Sequence, residues 1–344
     1  MKLQRLPLLA IAAILVLPHP ILNAQTVATD PVGFVKLTIA AGSGGKVSTL
    51  FSAPLLANTE IAGQASGSIT GVTGNTISNS SGGWTGNLAD PASPYLVLLT
   101  SGSAQGRMFL ISANTSTQLT INADDLVAGD LVASGVAVGN TYKIFPCDTL
   151  VSLFGTPATD DVLGGTSAKV ADTVLLTTAQ GPKTYFYSTT QNQWVENARG
   201  VVLANNVPVR PYYGVLYSRL GVTPLEYTFT GGVPTVPRAV AIANSGTTLL
   251  AQYWPTPRTL AQLGLQNTVG WLAGANARSA DRVVINVNGV PTTYFYNGTN
   301  WLLNARTPIV SNDVVIPIGA AIEVQRRNNN AGYAILDQSV PYTL

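Results

Sequence analysis

Two stretches of the chain carry nearly the same words, KTYFYSTTQNQWVENA at 183–198 and TTYFYNGTNWLLNA at 292–305. A more divergent third, GRMFLISANTSTQLTINA at 106–123, ends in the same Asn-Ala. From Leu99 to Met108, Leu176 to Tyr185 and Ile285 to Tyr294 the spacing is nine residues each time. From Leu110 to Leu119, Tyr187 to Trp194 and Tyr296 to Trp301 it is nine, seven and five. Steps of two keep a strand's side chains on the same face, whereas a step of one flips them all. That parity is what three copies of a folded β-meander require. The likeness runs on without gaps: ten residues after Asn122, Asn197 and Asn304 stand Val132, Val207 and Val314, and closing strands read TYKIF, VLYSR and IEVQR. Three related β-units follow.

The rest of the mature region fits the same class. Short β-branched or aromatic runs are broken by Gly, Asn and Pro every eight to twelve residues or so, and helical periodicity is scarce. Asn288-Gly289 and Asn297-Gly298 suit tight type I′ hairpin turns. The expected fold is all-β: repeated antiparallel hairpin or meander units forming β-sandwich or barrel-like domains, with little helix. The units divide as a divergent first (25–146), a second (147–233) and a third (234–344), with TGGVPTVPRA at 230–239 as linker between the last two. One short helix is expected after Pro257, around Leu260, Leu263 and Leu265. The Gly/Ser/Asn-rich run at 66–87 reads as a long surface loop or as two short twisted strands.

The amino terminus reads as an export signal. Lys2 and Arg5 precede an apolar run from Leu6 to Leu17, and Leu22-Asn23-Ala24 resembles a cleavage site. Residues 1–24 are therefore expected to be removed, leaving no membrane-spanning segment and a secreted, extracellular or cell-surface protein, with the periplasm as alternative. The only histidine, His19, leaves with them, and 16 basic residues remain against 16 acidic. A neutral chain without a dense basic run does not suit nucleic acid as a partner. A single cysteine, Cys147, has no partner for an intramolecular disulfide, so burial must stabilise the fold. Only 10 % of the chain is charged, against roughly 25 % in ordinary soluble proteins.

Chemistry is sparse. Without histidine, the usual Ser-His-Asp and Cys-His arrangements are missing, as is the commonest zinc ligand. No catalytic, cofactor or metal residue is assigned, and the chain is expected not to be an enzyme. The acidic doublets Asp124-Asp125 and Asp160-Asp161 are the only material for a glycosidase pair, and adjacent acids in loops more often form turns and caps. Asp124, Asp125 and Asp130 match no calcium-loop spacing. Cys147, between apolar runs, reads as a small buried residue. An outer-membrane barrel would need strands of about 9 to 11 residues, longer than the runs here. The remaining candidates are aromatic. Tyr185, Tyr187 and Trp194, with Tyr294, Tyr296 and Trp301, share one face in each copy. Exposed, they would make a sugar-stacking platform; inward, they would make a core.

TDPVGFVKLTIAAGS at 29–43, GGTSAKVADTVLL leading into TYFY at 164–187, and the later tryptophan resemble an uncharacterised family of secreted β-rich proteins seen in Verrucomicrobia. The resemblance covers most of the mature chain. Where that family often shows PLAVTVTGEV, this chain has PLEYTFTGGV at 224–233. It implies export and carries over no site residue. The expected function is non-catalytic extracellular or cell-surface structure and assembly, with the chain itself as partner; the alternative is a module binding surface polysaccharide.

Overall fold

The computed structural model describes residues 31–344, except 54, 57–60, 62, 127–128, 179–180, 288–289, 329–331 and 344. The export signal expected at 1–24 and the turn expected at Asn288-Gly289 lie outside the described residues. Residues 31–344 form one compact unit, and the described residues are almost wholly β, with a single five-residue α-helix among them, Leu150–Phe154.

Each predicted copy is a meander closed by a returning strand. In the first, Tyr95–Leu99, Met108–Asn114 and Gln118–Ile121 run antiparallel, and Thr141–Pro146 returns to lie beside the first strand. Thr173–Thr178, Gly181–Ser188, Gln193–Glu196 and Val215–Arg219 repeat this in the second. Arg282–Val287, Val290–Tyr296, Trp301–Leu303 and Ala321–Arg327 repeat it in the third. The spatial order is fourth, first, second, third in every unit, a Greek-key arrangement.

Around the meanders, the second and third units agree strand for strand. Val32–Ile39 pairs with Leu225–Gly232 and Val47–Phe51 with Val215–Arg219, just as Arg238–Ala243 pairs with Tyr333–Gln338 and Ser245–Ala251 with Ala321–Arg327. Likewise Asp148–Thr149 pairs with Pro208–Val209 and Arg258–Thr259 with Val315–Ile316. Residues 32–51, grouped by sequence order with the first unit, therefore complete the second. The first unit lies between Phe51 and Asp148, where the third unit has only the short connection from Gln252 to Pro257. It is an insertion in a duplicated fold.

The insertion is built into the whole. Its inner core contains Val97, Leu99, Phe109, Ile111, Leu119 and Ile144. Its other face, with Leu96, Leu98, Met108 and Leu110, joins the core of the third unit beside Val240, Ile242 and Leu336. Contact is close at Gly106, whose carbonyl accepts from the Ala239 N–H at 3.1 Å. A Cβ there would sit 2.3 Å from the Pro237 oxygen, and its φ of +85° already favours glycine.

The first hairpin corrects the spacing reading. Val97 pairs with Phe109 as Val174 pairs with Tyr185 and Val283 with Tyr294. Phe109, not Met108, therefore takes the tyrosine's place, because this turn is one residue longer than its counterparts. The single step flips Met108 and Leu110 to the opposite face. A bulge between Ile111 and Ala113 absorbs the odd residue, and Leu119 still reaches the inner core.

Other local expectations resolve simply. The 66–87 run contains strands Ser66–Ser68, Gly71–Thr73 and Thr76–Ser78. The stretch after Pro257 forms two 3₁₀ turns, Ala261–Leu263 and Leu265–Asn267, separated by Gly264 at φ 70°. Asn297-Gly298 does not make a type I′ turn. Tyr296 pairs with Trp301, which leaves four residues to turn, and the Asn297 side chain accepts from the Thr299 and Asn300 N–H groups. Only Gly298 of that pair has positive φ.

Candidate functional site

The aromatic face is a core. Trp194 is 0 % and Trp301 1 % exposed; Tyr185, Tyr187 and Tyr294 are buried, and Tyr296 is half-buried against the same core. The sugar platform proposed from these six residues is thus closed. Strand alternation aims them inward, where the helix Leu150–Phe154 and the two 3₁₀ turns cover them. Phe154 packs 6.0 Å from Trp194, and Trp271 packs 5.7 Å from Trp301. Each indole N–H is satisfied, by the Gly155 carbonyl at 2.9 Å and by Gln266 Oε1 at 3.2 Å. Each tryptophan's backbone N–H donates to an asparagine, Asn205 or Asn312, at 2.8 Å.

The acidic doublets are taken up by structure. Asp125 is half-buried, with its side chain only 9 % exposed, accepts from the Leu110 N–H at 2.7 Å and pairs with Arg210 at 2.9 Å. Burial pushes its carboxyl up, against the pull of Arg210. Asp124 lies in a 3₁₀ turn capped by Asn122, and Asp130 caps the Ala133 N–H. Asp161 accepts from Thr223 and Arg219, and the Thr223 hydroxyl is the main cause that lowers its pKa. Among the described residues no group of three His, Cys, Asp or Glu side chains is placed to hold a metal. Cys147 is buried, which pushes its thiol up to about 12. No helix of the described residues is long and apolar enough to cross a membrane.

Sequence reasoning missed one repeated device. Asp172 heads the second meander and Arg219 ends its closing strand; the two form a buried pair at 2.5 Å. Asp172 also accepts from the Leu163 and Leu220 N–H groups. In the third unit Asp281 and Arg326 pair at 3.2 Å, and Asp281 accepts from Leu272 and Arg327. Each aspartate ties the loop before a meander to the end of its closing strand. The signal was present in the shared Asp before VLL and VVI and in the last letter of VLYSR and IEVQR, but nothing local joins residues 47 and 45 apart. The first unit has Tyr95 opposite Pro146 at the corresponding register.

Open surface features remain. On the outer face of the second meander an open groove of ≈ 430 Å³ lies over Phe186 and Val195, walled by polar side chains that include Gln191, Asn197 and Arg199. Beyond each of the last two meanders lies an exposed apolar edge: Val201-Val202-Leu203, with Leu203 bridged to Val195, and Ile309–Val310, paired with Trp301–Leu303. Comparison with protein-family models, with curated proteins and with solved structures gives no match.

Proposed function

We propose that this chain is an exported, non-catalytic β-repeat protein that acts in extracellular or cell-surface structure by associating with copies of itself. The observation that carries the reading is the pair of matching edges. Val202 and Leu203 are 45 % and 58 % exposed, and Ile309 and Val310 are 57 % and 61 % exposed, at the same place beyond two copies of one meander. Free apolar edges template pairing with another chain, and natural proteins usually blunt them with charge. Here neither segment carries a charge within it. Two such edges on one chain allow growth beyond a dimer. The mature region's neutral balance reduces mutual repulsion.

Light scattering over a concentration series tests this. The full chain, without residues 1–24, is expected to gain mass with concentration, and the double variant Val202→Lys/Val310→Lys to stay monomeric with an unchanged unfolding midpoint. A wild-type chain that remains monomeric throughout would overturn the proposal.

A further inference from the structure

The groove on the second unit has no counterpart in the aromatic reading, because it lies on the other side of the same strands. Tyr185, Tyr187 and Trp194 point inward; Phe186 and Val195 alternate outward, form its floor and pack on the buried Ala171. The floor is flush, with Phe186 8 % exposed, so a ligand rests on it without entering the core. One wall is the loop carrying Thr166 and Ser167. It is tied to the meander where Gly165 donates to the Tyr187 carbonyl at 3.0 Å and accepts from Thr189 at 3.1 Å. A Cβ at Gly165 would meet the Val170 oxygen at 2.8 Å, so the tie requires glycine. Another part of the wall is the turn bearing Gln191, fixed by the Gln191 N–H on Ser188 Oγ at 3.2 Å and by Tyr187 Oη donating to Asn192 Oδ1 at 3.0 Å. This turn is where the second unit is longer: Tyr187 to Trp194 spans seven residues against five from Tyr296 to Trp301. In the third copy the shorter turn has no residues to supply this wall. The groove is therefore framed by backbone bonds before any ligand arrives, and its ≈ 430 Å³ falls within the roughly 300–1,000 Å³ of ligand sites.

The lining states the chemistry. Thr166, Ser167, Gln191 and Asn197 offer hydroxyls and amides, suited to a polyhydroxylated ligand. Glu196 is spent on Lys183 at 3.1 Å. Arg199 is exposed and has no carboxylate partner among the described residues. The one uncompensated charge in the groove is thus a guanidinium, which grips carboxylates through paired N–H bonds. We infer that this groove binds an oligosaccharide bearing a carboxylate, a uronic-acid glycan, with Arg199 on the acid group and Gln191 and Asn197 on ring hydroxyls. An acidic peptide also suits a single arginine, and polyglutamate in the test below separates it from a glycan.

Titration calorimetry of the full chain with oligogalacturonate, oligoalginate, a neutral cello-oligosaccharide and polyglutamate tests the inference. Binding to at least one uronate is expected, weakened about tenfold or more by Arg199→Ala, as loss of a charge-assisted pair implies, and weakened also by Gln191→Ala. Both side chains are exposed, so the unfolding midpoints should match wild type, and self-association should persist. Absence of uronate binding, indifference to Arg199→Ala, or equal binding of the neutral glycan or polyglutamate would each overturn it.

Discussion

Replacing Trp194 or Trp301 with alanine is expected to cost about 3–5 kcal/mol of stability each, the range for buried aromatic truncation. Against a total of roughly 5–15 kcal/mol for ordinary domains, either change removes a large share. Both indoles are essentially unexposed. Each also fills the space under a covering segment: Trp194 touches Phe154 and Tyr187, and Trp301 touches Trp271 and Tyr296. Truncation opens a cavity and leaves the Gly155 carbonyl or the Gln266 side chain without its indole donor. Denaturant midpoints measure the effect. Midpoints near wild type for both variants would mean the rings are not core.

Asp281→Ala should be comparably severe, about 3–5 kcal/mol, because breaking a buried ion pair strands a charge. Asp281 and Arg326 are both unexposed, and the aspartate also receives the Leu272 and Arg327 N–H groups. Asp172→Ala is expected to cost less. Arg219 keeps a second carboxylate, Asp161, at 3.1 Å and open to solvent. Replacing Asp281 and Arg326 together with apolar residues of similar volume should recover most of the loss, since buried pairs are often no more stable than well-packed hydrophobic substitutes. Thermal and denaturant unfolding of the three variants sets the order, and an Asp281→Ala chain as stable as wild type would remove the pair from any structural role.

The parts of this fold legible in sequence are those with a local period. Alternation of Tyr185, Phe186 and Tyr187, and the even spacing to Trp194 and Trp301, announce meanders and an inner face. Leu119 in the same place foretells a core, since leucine fills space but does not stack a sugar. Illegible parts depend on distant pairing. Nothing in VGFVKLTI at 32–39 says that its partner is LEYTFTGG at 225–232, so the insertion escapes a reading that proceeds along the chain. Met108 misled for a different reason: an added turn residue and a bulge nearly cancel, and only the strand register separates Met108 from Phe109. The groove was hidden because it is made by what the second turn adds, Gln191 and its neighbours, in a segment whose length alone was informative.

Self-association through the two apolar edges is open to a direct measurement. A chain carrying Val202→Cys and Val310→Cys, treated with a short thiol cross-linker, reports whether those edges meet between molecules. The native Cys147 is buried, with its thiol pushed up to about 12, so it stays silent while thiolate chemistry proceeds at the edges. A ladder of covalent oligomers that fades on dilution is the predicted result. Monomers alone, with both introduced thiols freely labelled by a small reagent, would contradict assembly through these edges.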